Sequence, residues 1–409
     1  MAGGCDMSFD VAAARASFPI LSRAVHGKPL VYLDSAASAQ KPQAVIDAMT
    51  ALMRGAYANV HRGLHALANE STDVYESARA SVARFINAPS PDTVVFTKGA
   101  TAAINIVAAG IDFEPGDEIV LSVMEHHSNI VPWHFLRERK GAVLKWIDVS
   151  DDGAIDLEAL EVMIGPRTRM VALTHMSNVL GVRTPAADIV RIAHSRGVPV
   201  LLDGCQAVVH GAVDVQALGV DYYAFSSHKL YGPTGIGVLY GKAERLAALA
   251  PFEGGGEMIE TVTQDKITYN TPPHRFEAGT PPIIEAAGLG AAIAWLGELD
   301  RAAIAAHEHA LRDRLMDGLR GLNWIRLYGE AADKGAIVAF NIDGAHPHDV
   351  AQIVDRHGVA IRAGHHCAQP LMARLGVTAT ARASLALYNT AEDVDVFLDA
   401  LVKARKMLA

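Results

Sequence analysis

The chain has 409 residues, 50% hydrophobic and 20% charged, enough to build a large core and unlike a disordered or fibrous protein. A formal net charge of −9 offers no electrostatic grip on nucleic acid, and no apolar run reaches membrane-spanning length. Only three cysteines, Cys5, Cys205 and Cys367, exclude a disulfide scaffold and suit a reducing compartment.

The first ten residues, Met1 to Asp10, contain no basic region leading into an apolar core, so no secretory signal is expected and the cytoplasm is the default location. From about Leu30 to Leu299, short apolar strands such as Val94–Thr97, Met170–Thr174, Val198–Asp203 and Tyr222–Phe225 alternate with helical patterns such as Ala186–Ala193. That alternation predicts an α/β domain with a mainly parallel, buried sheet. Arg137–Lys140 reads as a solvated helix end, and Ala286–Leu296 as a buried helix. An amphipathic helix over Arg301–Leu322 leads to a strand at Ala336–Ile342, a helix near Asp349–His357, an alternating strand Val359–Arg362 and a final helix from Ala391. The expected division is a large domain over 30–299 and a smaller α+β unit over 300–409, sharing an interface with the active site between them.

Four polar clusters sit where strands end. Ser226-Ser227-His228-Lys229 follows the strand Tyr222–Phe225 and holds a lysine in a glycine-bounded turn. A turn lysine is ordinarily solvated; held out of bulk water near other groups it becomes a nucleophile toward an aldehyde. Asp203 ends an apolar strand, with Gln206 beyond it, at the sheet edge where ligands of open α/β sheets bind. It is either a polar strand terminus or the acid that keeps a pyridine nitrogen protonated. Lys98-Gly99-Ala100-Thr101 opens a helix whose free N–H groups attract phosphate, although single-glycine turns are also ordinary connections and no nucleotide fingerprint is present. Glu125-His126-His127-Ser128-Asn129 follows the run Glu118–Val123; His126 is a structural histidine or one that stacks on a planar ring and moves protons above it. His126-His127 and His365-His366-Cys367 also raise zinc, but no Cys-x-x-Cys or His-Glu-x-x-His spacing accompanies them, so no metal is expected.

Taken together the motifs resemble the cysteine desulfurases of SufS type, group II, within the class V aminotransferases of fold-type I pyridoxal phosphate enzymes. The resemblance rests on Tyr32–Ser38, Asn59–Gly63, Glu125–Asn129, Ser177–Gly181, Asp203–Gln206, Ser226–Lys229, Arg275–Pro281 and Arg362–Ala368, the last of which separates group II from the IscS/NifS pattern. It implies a seven-stranded sheet in the large domain, a small domain that also takes in residues 1–29, and pyridoxal 5′-phosphate held by Lys229 as a Schiff base. It further implies that Asp203 pairs with the pyridine nitrogen, His126 stacks on the ring and Gln206 meets the phenolic oxygen. The phosphate is expected on Ala100, Thr101, Ser226 and His228, with Thr280 reaching across from a second subunit of a homodimer. Asn178 and Arg382 are expected to hold the substrate carboxylate, a task that suits a planar guanidinium. Arg362 is a second substrate contact, a loop anchor or a simple ion pair.

Cys367 would be the nucleophile. A free cysteine is usually a small buried hydrophobe, but this one sits in a polar Gly-His-His-Cys turn beside imidazoles that favour a thiolate. Its attack on the sulfur of L-cysteine would leave alanine and a Cys367 persulfide. That sulfur would pass to an acceptor of SufE or SufU type for iron–sulfur cluster assembly. Two positions depart from the family pattern: Ala100 stands where a hydroxyl residue is frequent, and Cys205, read as buried filler, where alanine is common. Gly254-Gly255-Gly256 reads as a hinge near the site mouth or a dimer contact, and Asp343–Asp349 as a turn and helix cap whose His346 is available to an acceptor. Alternative activities are a selenocysteine lyase or related β-lyase and, more remotely, a zinc-binding or sulfur-carrier scaffold without pyridoxal phosphate.

Overall fold

Seven strands form the central sheet: β1 (Val94–Thr97), β2 (Glu118–Ser122), β3 (Val143–Ile147), β4 (Thr168–Thr174), β5 (Val200–Asp203), β6 (Tyr222–Ser226) and β7 (Gly237–Gly241), in the order β1-β7-β6-β5-β4-β2-β3. These come from a computed structural model that describes residues 9–408; residues 1–8, which include Cys5 and most of the segment read for a secretory signal, lie outside the described residues. Neighbours from β6 to β3 pair in parallel, and β7 alone runs against the others. β1, β2, β5, β6 and β7 are buried along their whole length. Their near-continuous Val, Ile, Leu and Tyr content follows, because helices cover both faces of such a sheet. One close approach fixes a residue type at its edge: a Cβ on Gly237 would lie 2.3 Å from the Gly99 Cα, so only glycine lets the turn after β1 pack against β7.

A second sheet, β8 (Ile325–Tyr328), β9 (Ile337–Ile342), β10 (Arg362–Gly364) and β11 (Thr380–Ser384), is antiparallel in the order β8-β9-β11-β10. Helices Arg301–Arg320, Pro347–Asp355 and Ala391–Leu408 bury Leu315, Val354, Phe397 and Leu401 in a core with Phe340. The strand expected over Val359–Arg362 is two strands. Val359–Ala360 pairs in parallel with Val31–Tyr32, and after Ile361 the chain joins β11 instead. Val31 and Leu33, just inside the range expected for the large domain, belong to this second core. The N-terminal segment is tied to the C-terminal helix by Arg15, whose Nη1 lies 2.9 Å from both Asp393 Oδ2 and the Tyr388 carbonyl.

Ala286–Leu296 lies within the helix Ile283–Gly297, and Arg137–Lys140 is the exposed end of Val131–Lys140. Asp343–Asp349 is a turn capped by His346, whose Nδ1 accepts the His348 N–H at 3.2 Å. The Gly254–Gly256 loop lies against the segment before Thr280, the Gly279 N–H donating to the Gly256 carbonyl at 2.9 Å. No described helix is long and apolar enough to cross a membrane.

Candidate active site

The carboxyl ends of β5, β6 and β2 deliver Asp203, Ser226 and the Glu125–Asn129 turn to one edge of the sheet. There they meet β10, β11 and the loop between them from the second sheet. A cavity of about 240 Å³ brings together Ala100, Thr101, His126, Asn178, Asp203, Ser226, His228, Lys229, Arg362, Cys367 and Arg382. Two expected residues are elsewhere. Gln206 is buried with its Nε2 donating 2.9 Å to the Ala36 carbonyl, off the cavity wall. Thr280 is exposed and lines a separate cavity with Lys98 and Phe276.

At one end of the cavity the helix Ala100–Gly110 begins without a side-chain cap. The Ala100 N–H donates to Ser226 Oγ at 2.9 Å, and a side chain on Gly99 would approach that same oxygen. This open helix start is a concave patch of positive dipole. Ser128, which sequence reasoning passed over although it stands in the Glu125–Asn129 motif, links two walls: its Oγ lies 2.7 Å from Thr101 Oγ1 and 3.0 Å from His126 Nδ1. The Ser128 N–H also donates to His126 Nδ1 at 3.1 Å, which leaves the ring proton on Nε2. Burial, then the Lys229 charge, pushes His126 down to about 4; the same two causes push His228 to about 4. Both rings are therefore neutral at pH 7.

Asp203 is buried, accepts the Cys205 N–H at 3.0 Å on Oδ1, and has no cationic partner among the described residues. A buried carboxylate facing a cavity without a partner suits a cationic ligand group. Cys205 shares the wall beside it; burial, reinforced by Asp203, pushes its thiol up to about 12.

On the side of the second sheet, Arg382 is buried, with Nη2 3.0 Å from Asp34 Oδ1 and Nη1 donating 2.7 Å to the Asn178 carbonyl. Its Nε is buried with no partner among the described residues. Arg362 makes no ion pair among the described residues, which removes the simplest reading of it. Asp34, quoted in a motif but assigned no role there, is thus the residue that holds Arg382.

The loop carrying Cys367 is strained and tied down. His366 and Cys367 have φ of +51° and +57°, a left-handed region costing non-glycine residues about 1–3 kcal/mol each. Holding them there, the Asn178 amide donates 2.9 Å to the His366 carbonyl, and His366 Nε2 lies 3.0 Å from the Thr380 carbonyl. The His127 N–H donates 2.7 Å to the Cys367 carbonyl. Cys367 itself is half-buried at the cavity rim.

A profile of the aminotransferase class-V family matches residues 31–397. The chain belongs to that family, among its cysteine desulfurases. It is 50% identical to a cysteine desulfurase of Klebsiella pneumoniae over 98% of this chain and 100% of that one. The crystal structure of the Escherichia coli cysteine desulfurase CsdA superposes with a TM-score of 0.91 at 43% identity, covering 98% and 100% of the two chains. The apo cysteine desulfurase of Thermococcus onnurineus gives 0.92 at 38% identity, covering all of both. Pyridoxal 5′-phosphate is the cofactor of these enzymes. The donor set fits it: an amine at Lys229, an unpaired buried carboxylate at Asp203, a neutral imidazole at His126, and hydroxyls beside an open helix start. The reading as a cofactor-free scaffold falls with that membership.

Proposed function

We propose that this pyridoxal phosphate-dependent enzyme is a SufS-type, group II cysteine desulfurase that converts L-cysteine to L-alanine and keeps the sulfur as a Cys367 persulfide. The observation that carries this reading is the shared cavity: the amine of Lys229 and the thiol of Cys367, from segments far apart in the chain, line the same 240 Å³ space. Bound there, pyridoxal phosphate supplies the electron sink for charge developing at the substrate Cα.

The residues divide the remaining work. Lys229 would hold the cofactor covalently and, once displaced by the substrate amine, stands within the cavity to move the Cα proton. Asp203 would pair with the ring nitrogen and His126 would cover one ring face. Thr101, the Ala100 backbone, Ser226 and His228 would hold the phosphate. Gln206 would turn from the Ala36 carbonyl to the phenolic oxygen. Arg382, Asn178 and Arg362 would orient the substrate carboxylate. As a thiolate, Cys367 then attacks the substrate sulfur: an S–S bond forms, the C–S bond breaks, and its electron pair stays with the carbon that becomes the alanine methyl after protonation. The strained loop fixes the direction of that attack.

The same reading makes the enzyme a homodimer, with exposed Thr280 serving the neighbouring phosphate, and makes the sulfur acceptor a cytoplasmic SufE- or SufU-type protein of iron–sulfur cluster assembly. The test is to record the visible spectrum, add L-cysteine and a reductant, and quantify alanine and sulfide for the wild type and Cys367→Ala. A yellow wild-type protein whose products require Cys367 is expected. Equal alanine and sulfide from Cys367→Ala would overturn the persulfide step, and inertness toward cysteine with turnover of selenocysteine would move the activity to selenocysteine lyase.

A further inference from the structure

Cys367 has two neighbours that the desulfurase chemistry leaves without a role. His127, from the turn after β2, and His365, two residues before Cys367, each place a ligand atom so that these and the Cys367 Sγ all lie within 4.8 Å of one another. The two imidazole centroids are 5.5 Å apart and the rings are inclined by 33°. No local sequence spacing announces this trio, because His127 stands 238 positions before His365 in the numbering.

Each ring already turns a nitrogen lone pair toward the loop. The Cys367 N–H donates to His365 Nδ1 at 3.1 Å, and the Gln369 N–H donates to His127 Nε2 at 3.3 Å. A nitrogen that accepts an N–H is unprotonated, which is the form that ligates metals. Both bonds are long and exposed, so a cation that displaces them frees two N–H groups to water at small cost. His365 is exposed and Cys367 and His127 are half-buried, leaving a path for a hydrated ion.

We propose that His127, His365 and Cys367 form a binding site for a soft, thiophilic divalent cation of the zinc class, and that its occupancy switches the nucleophile off. Imidazole nitrogen and thiolate sulfur are the donor types that zinc takes, and three protein ligands leave a fourth tetrahedral position open to water. Binding forms one metal–sulfur and two metal–nitrogen bonds and releases the thiol proton to solvent; nothing is oxidised or reduced. The sulfur lone pair needed for attack on substrate is then committed to the metal. The metal site stands on side-chain geometry alone; that its occupancy silences turnover rests on the proposed role of Cys367.

The experiment is a Zn²⁺ titration of the chelator-treated holoenzyme in competition with a chromophoric chelator, with metal content measured after gel filtration. One strongly held Zn²⁺ per chain is expected, and it should protect Cys367 from alkylation, read by peptide mass. His365→Ala, at an exposed position, and Cys367→Ser should each weaken that binding by more than the roughly 10- to 100-fold that loss of an outer-shell partner costs. Full-strength binding in either variant, or unchanged alkylation of Cys367 with Zn²⁺ bound, overturns the proposal. Protection is read on the native chain, so a variant that misfolds does not decide the matter, and neither readout uses turnover of cysteine.

Discussion

Arg362 and Arg382 occupy paired positions on β10 and β11, and among the described residues only Arg382 has a carboxylate, Asp34, as its partner. Two guanidinium groups facing one cavity, with Asp34 paired to only one of them, repel each other and leave Arg362 free for an anionic ligand. Arg362→Ala should therefore cost about 1.5–3 kcal/mol of a charge-assisted contact, or roughly 10- to 100-fold in kcat/KM for L-cysteine. If both rate and KM are unchanged, the carboxylate lies elsewhere.

Cys205 and Cys367 should be told apart by a thiol reagent. Burial and the neighbouring Asp203 hold the Cys205 thiol at about 12, whereas Cys367 is half-buried at the rim. Since the thiolate is the reacting species, limited iodoacetamide treatment at pH 8 should label Cys367 and spare Cys205, as read by peptide mass. Labelling of Cys205 in the native protein at a comparable rate would contradict its burial.

Much of this site was legible because parallel sheets gather strand ends. Asp203, Ser226 and the Glu125–Asn129 turn each follow an apolar run, and any ligand of an open α/β sheet lies beyond those runs. The rest depended on distances that no local pattern encodes. That Gln206 turns to the Ala36 carbonyl, that Arg382 is held by Asp34, and that His127 reaches the Cys367 loop are contacts between segments far apart in the chain. The strand read across Val359–Arg362 was misjudged for a related reason. Alternation marks which residues face a core, but the change of partner at Ile361, from Val31–Tyr32 to β11, is set by where two different neighbours end.

Arg79 and Glu277 support the segment that leads to Thr280. Arg79 is buried, with Nη1 2.6 Å and Nη2 2.9 Å from the two Glu277 oxygens, and Glu277 also accepts the Phe96 N–H at 2.7 Å and the Tyr75 hydroxyl at 3.0 Å. Arg79→Met would leave that carboxylate buried without its cation, a loss of about 3–5 kcal/mol. Urea denaturation followed by tryptophan fluorescence should show a lower midpoint with an unchanged slope. A shift below about 1 kcal/mol would mean that water reaches Glu277 in the variant.

Acid should destabilise this fold before carboxylates with ordinary values titrate. Burial is the main cause that pushes His126 and His228 down to about 4 and His175 and His366 to about 3, whereas unfolded histidines titrate near 6.5. Between roughly pH 6.5 and 4 the unfolded chain therefore binds protons that the folded chain refuses, so the stability these rings contribute is full above pH 6.5 and is lost as pH falls. Glu125 acts in the opposite sense. Burial lifts it to about 7, so its contribution is full below its ordinary value and is lost as pH rises toward 7. Burial raises Asp34 as well, in the same sense as Glu125, and four rings against two carboxyls still decide the sign: the urea midpoint should fall on going from pH 7 to pH 5. His175 is the ring to change, because it is buried, lies off the cavity wall and meets Tyr223 through a 2.9 Å contact at Nδ1. His175→Gln should lower the slope of stability against pH by up to about one proton. A slope left intact would mean that His175 is already protonated in the folded enzyme, with Tyr223 accepting from it.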